Sequence, residues 1–232
     1  MRGRGPCGGA DGGCGSWDPA GERLARAFQS AGRTRPFRGD VRSGPGLASA
    51  AAARAYRGEI VLAAVGGSAG ALRLALNLFL GLRALGIEHL LLLADSERTC
   101  ERLADALARD SSSTPSALGC GWWASGLDAG LDESSALEGE EGWERWRVAN
   151  HSRPLQRLMA ARWELVSRLV SPPHRLSVLA LDIDVAVASS PYAYLKRPPF
   201  SDAALVVQAE VRRGREEGVG GGVWGDDGDS RS

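Results

Sequence analysis

The apolar positions of this chain fall into short uninterrupted runs separated by stretches with helical spacing. Glu59–Val65 (EIVLAAV) and residues 89–94 (HLLLLA) are short and almost wholly apolar, the signature of strands buried on both faces. Between them lie a glycine turn at 66–70 and then ALRLALNLFLGLRALG. Its alternation over 72–80 taken alone suggests a strand. Its length, its Ala, Leu and Arg content, the lack of β-branched residues and the closing Gly86 predict a helix instead. The second strand ends at Asp95 and Ser96, either of which can cap a helix over 97–109. Residues 110–117 read as a loop and 117–123 (ALGCGWW) as a third strand, followed by an acidic, Gly-containing surface insertion over 126–142.

Helical spacing returns over 143–170, with Pro154 starting a fresh helix near Arg153. There Leu155, Leu158, Met159, Trp163, Val166 and Leu169 can share one apolar face against a sheet. Pro172 and Pro173 end that helix. Strands at 178–181 and 203–209 (AALVVQA) follow. Strands alternating with helices predict an α/β fold with a mostly parallel sheet and right-handed crossovers.

Composition sets the expected boundaries. Residues 1–57 are rich in Gly, Ala, Arg and Ser and poor in large apolar side chains, so they are expected to be mostly flexible, with the folded domain over 58–211 and a disordered tail over 212–232. The 28 basic residues balance the 28 acidic ones, which argues against a general nucleic-acid or anionic-membrane surface. Lys196 is the only lysine, a bias that points to GC-rich coding rather than to arginine chemistry. No apolar stretch follows the amino-terminal charges and no window of about 20 residues is free of charge, so neither a signal peptide nor a membrane anchor is expected. Cys7, Cys14, Cys100 and Cys120 form no C-x-x-C pair, and His89, His151 and His174 are scattered, so no zinc site is expected. Cys100 and Cys120 fall in structured segments, as core thiols or as a disulfide.

One stretch carries candidate chemistry. At 177–195 (SVLALDIDVAVASSPYAYL) an apolar strand delivers Asp182 and Asp184 one residue apart, and a strand's two-residue period would put both carboxylates on one side. Two anionic oxygens aimed together suit a hard cation, Mn²⁺ or Mg²⁺, able to hold a diphosphate. The turn at 66–70 stands where a phosphate-binding loop would, but it matches neither G-x-G-x-x-G nor G-x-x-x-x-G-K-[ST] and reads first as a plain turn.

Asp182, Ile183, Asp184 and Val185, followed by Pro191, Tyr194 and Leu195, resemble the D-V-D-V-x-W and [DN]-P-x-x-Y-L signature of the nucleotide-diphospho-sugar transferases of plants and green algae, which include cell-wall arabinosyl- and xylosyltransferases. Weaker agreement extends over 58–210, through EIVLAAV, Asn77, GIEHLLLLAD, Cys100 and the Trp-rich helix. Val187 replaces the signature's tryptophan, and Ser190 its Asp or Asn. The resemblance implies a GT-A-like nucleotide-binding sandwich lacking its carboxyl-terminal part, Mn²⁺ or Mg²⁺ on Asp182 and Asp184, a nucleotide-sugar donor, a glycan or glycoprotein acceptor, and the Golgi lumen as location. It further implies Asp184 as the main metal ligand, with Asp182 on metal or ribose. Arg162 is a candidate for the donor diphosphate, and also reads as a surface arginine. Asp95 is a candidate for the nucleoside, and equally a helix cap.

Two other readings stand beside this one. A haloacid-dehalogenase-like phosphatase also begins hhhh-D-x-D, with Asp182 as nucleophile, Asp184 as general acid/base, and Asp226, Asp227 and Asp229 as its Mg²⁺-binding motif. A degenerate, catalytically dead transferase domain is the third.

Overall fold

The computed structural model describes residues 18–109, 118–123 and 153–203. At its centre is a five-stranded, wholly parallel sheet of β1 (Phe37–Asp40), β2 (Glu59–Val65), β3 (Leu90–Ala94), β4 (Gly119–Trp122) and β5 (Ser177–Leu181), in the order β1-β4-β3-β2-β5. The described helices are α1 (Pro19–Ala27), α2 (Gly44–Arg54), α3 (Ala69–Ala84), α4 (Glu97–Arg109), α5 (Arg153–Val170) and the single turn α6 (Tyr192–Leu195). The α/β class with a parallel sheet is therefore as the hydrophobic runs predict.

Strand alternation sorts the core into two layers. Val61, Ala63 and Val65 of β2 pack with Leu72, Ala75, Leu78, Phe79 and Leu82 of α3 and with Leu103 and Leu107 of α4. Ile60, Leu62 and Ala64 face the other way, onto Leu47, Ala50 and Ala51 of α2 and Leu158, Ala161, Leu165 and Leu169 of α5. Because both faces of β2 and β3 are covered, every residue of these two strands is buried, which explains their unbroken apolar runs.

The expected boundary near Gly58 is too late. From Asp18 onward the chain forms α1, β1 and α2, with β1 pairing β4 and α2 closing one face of the sheet. Composition misleads here because α2 is built from small residues: Leu47, Ala50 and Ala51 supply the buried stripe, and alanine needs little volume to fill a close helix–sheet contact. One side chain does more. Arg54 is completely buried and donates from Nε to Leu90 O at 3.0 Å, from one terminal nitrogen to Arg35 O at 2.8 Å and from the other to Glu88 O. It thereby ties α2, the β1 approach and the start of β3 together. The expected insertion at 126–142, the first part of the 143–170 helix, all but the first residue of the strand at 203–209, and the tail at 212–232 lie outside the described residues.

Strand order reverses between β2 and β5: the chain leaves β2 for β3 on one side, while β5 adds to the other. Open α/β sheets bind ligands at the carboxyl edge of such a switch point. The turn after β2 and the D-x-D after β5 meet that edge together.

Candidate functional site at the carboxyl edge of the sheet

β5 stops at Leu181, paired with Ala63, one residue before the motif. The chain then turns, and the Val185 N–H donates to Asp182 O at 3.3 Å. Asp182 and Asp184 thus sit in a turn, not on a strand, and the two-residue period that would align their carboxylates does not apply. Their surroundings differ accordingly. Asp182 Oδ1 accepts from an Arg162 terminal nitrogen at 2.6 Å, on the face covered by α5. Asp184 instead borders a depression of about 280 Å³ along α3, lined by Leu74, Asn77, Leu78 and Gly81 together with residues 183–187. Ile183 and Val187 pack onto the core of that second face.

The donor chemistry suits a hard cation, since both carboxylates are exposed and Asp184 has no described hydrogen-bond partner. The placement does not: one carboxylate is held by an arginine on one face, and the other lies beside α3 on the opposite face. Among the described residues no group of three or more His, Cys, Asp or Glu side chains is positioned for a metal. As they stand, Asp182 and Asp184 do not fit a shared cation.

Arg162 is buried, unlike the surface arginine of the alternative reading, and its guanidinium lies 5.6 Å from the centre of the exposed Trp163 ring. Trp163 therefore leaves the apolar face expected for it, whereas Leu158 and Leu169 occupy it.

Asp95 is buried and fully engaged. Its Oδ2 accepts from Gly67 N at 2.8 Å, and its Oδ1 accepts from the hydroxyls of Thr99 at 2.5 Å and Ser96 at 3.3 Å. Ser96, not Asp95, caps α4, accepting from Thr99 N at 3.2 Å. An Arg102 terminal nitrogen donates to Gly67 O at 2.6 Å, so the glycine turn is held through both its N–H and its carbonyl. A Cβ on Gly67 would lie 3.0 Å from Thr99 Oγ1, which accounts for glycine at this close approach. Asp95 supports the turn, and both its oxygens are spent on that task rather than turned to a ligand.

One further feature escaped the sequence. At the amino edge, Ser30 Oγ lies 2.7 Å from His89 Nδ1 and His89 Nε2 lies 2.6 Å from Tyr192 Oη, all three residues being buried. The Cys100–Cys120 disulfide joins α4 to β4, resolving the two alternatives left open for these cysteines. No single motif signals the histidine network, because its members are 59 and 103 residues apart.

Comparison with protein-family models, with curated proteins and with solved structures found no match to this chain. Among the described residues no helix is long and apolar enough to cross a membrane.

Proposed function

We propose that this chain is the nucleotide-binding domain of a glycosyltransferase that moves a sugar from a nucleoside-diphosphate donor to a glycan or glycoprotein acceptor. The carrying observation is the D-x-D turn at the carboxyl end of β5, beside the buried Arg162, at the switch point of a parallel sheet. Arg162 supplies a fixed positive charge for a diphosphate, and Asp182 and Asp184 are the candidate metal ligands. A Mn²⁺ or Mg²⁺ ion held there would supply Lewis-acid stabilisation of a leaving nucleoside diphosphate. In the arrangement seen here the two carboxylates are not assembled around one ion, so no step is assigned to it.

Asp95 shapes the glycine turn in this reading and leaves the nucleoside to other groups. The Cys100–Cys120 bond is consistent with folding in an oxidising compartment such as the Golgi lumen. The phosphatase alternative gains nothing from the geometry: one oxygen of its intended nucleophile, Asp182, is held by Arg162, and Asp226, Asp227 and Asp229 lie outside the described residues.

Thermal-shift titration with UDP, GDP, CDP and ADP, each with Mn²⁺, tests the proposal. A rise in melting temperature for one nucleoside over the others supports a donor site. Equal or absent shifts for all four contradict it and favour the degenerate domain.

A further inference from the structure

The Arg162–Asp182 pair is lopsided. The Arg162 side chain is only 9% exposed whereas that of Asp182 is 68% exposed, so the cation is fixed in the fold and the carboxylate is free to leave. A guanidinium carries five N–H donors in a planar fork suited to two oxygens at once. Here its one described hydrogen bond is the contact from a terminal nitrogen to Asp182 Oδ1, and its buried Nε has no partner among the described residues. Burying a donor without an acceptor is costly, and a single carboxylate oxygen leaves most of this fork unused.

We infer that Arg162 is an oxyanion site for a phosphate or diphosphate group, and that Asp182 occupies it as an intramolecular stand-in until such a group displaces it. A phosphate presents several oxygens to the fork where Asp182 presents one, so exchange completes the hydrogen bonding of a buried cation. The displaced carboxylate sits in a turn closed, among the described residues, by one 3.3 Å backbone hydrogen bond, a local link that permits it to swing away from α5. Anion arrival at Arg162 and release of Asp182 are then one event. This rests on the proposed donor site in naming the ligand class, but the exchange itself requires no metal and no nucleoside.

The test is titration calorimetry of inorganic pyrophosphate into the full chain in EDTA, comparing wild type with Asp182→Asn, Asp184→Asn and the double variant Asp182→Asn/Arg162→Lys. Asp182→Asn keeps the buried arginine in place and removes its charged competitor, so pyrophosphate binding should tighten about tenfold. Asp184→Asn removes the same charge two residues away and should tighten it far less. The double variant keeps a positive charge but loses the fork, and should lose the gain. Equal tightening in both single variants, no change in Asp182→Asn, or a gain that survives Arg162→Lys in a chain shown by circular dichroism to be folded would each overturn the inference. Because the probe is metal-free pyrophosphate, failure here leaves the nucleotide titrations above to stand or fall separately.

Discussion

His89 Nε2 lies 2.6 Å from Tyr192 Oη, joining the start of β3 to the first residue of α6 across 103 positions of sequence. The tautomer follows from the other side of the ring. Ser30 Oγ accepts from the N–H groups of Glu88 at 2.7 Å and His89 at 3.1 Å, so its own proton goes to His89 Nδ1. Nε2 then carries the ring proton and donates to Tyr192, whose ring stacks on Phe28 at 4.5 Å. The loop that carries the D-x-D is thus fastened at its far end to the amino edge of the sheet.

This network makes stability depend on pH. Burial, reinforced by the Arg54 charge, pushes His89 from its ordinary 6.5 down to about 4, while burial pushes Tyr192 up. The charge of Glu59, which pairs with Lys196, acts on Tyr192, and that of Glu88 acts on Arg54. The unfolded chain takes up the His89 proton below about pH 6.5 and the folded chain only near 4, so this contribution is whole above 6.5 and is lost as pH falls between those values. Urea midpoints measured from pH 7 to 4 should fall by the equivalent of about 3 kcal/mol from this group. His89→Gln should be less stable at pH 7 and show a flatter slope.

Arg54 should be the most sensitive position of the amino-terminal elements. It is buried with no carboxylate of the described residues in contact, and its donors are satisfied by the carbonyls of Leu90, Arg35 and Glu88. Arg54→Met leaves those carbonyls unpaired and should cost about 3 kcal/mol by chemical denaturation, loosening β1 and α2 first in hydrogen exchange.

Asp95→Ala should separate support from binding. Loss of the acceptor for Gly67 N, Thr99 and Ser96 should lower stability by about 2 kcal/mol. If Asp95 only shapes the turn, nucleotide affinity measured on the folded fraction should change little. A loss of binding far beyond the loss of stability would instead assign it to the nucleoside.

Reduction of Cys100–Cys120, which closes a 20-residue separation, should lower the unfolding free energy by about 3 kcal/mol. Denaturation with and without dithiothreitol, with the Cys100→Ala/Cys120→Ala variant as control, measures it. The variant should show no dithiothreitol effect in that range.

What was legible in the sequence was whatever local pattern controls. β2, α3 and α4 appear where their apolar runs place them, since buried strands must be apolar throughout and Ser96 is one of the two caps expected for α4. The amino-terminal elements were missed because alanine packing in α2 and one buried arginine do the work that large apolar side chains usually do. For the site, the position of the D-x-D at the sheet's edge was readable, but its orientation was not. That depends on β5 ending at Leu181 and on Arg162, 20 residues upstream, drawing Asp182 toward α5.

The proposed nucleoside-diphosphate site lies at the D-x-D turn beside Arg162. Calorimetric titration of UDP into the purified chain, with and without Mn²⁺ and repeated on Asp184→Asn, tests it most directly. Binding should strengthen with Mn²⁺, and Asp184→Asn should return it to its metal-free level. No binding to a demonstrably folded chain under either condition, or Mn²⁺-dependent binding that Asp184→Asn leaves intact, would contradict it.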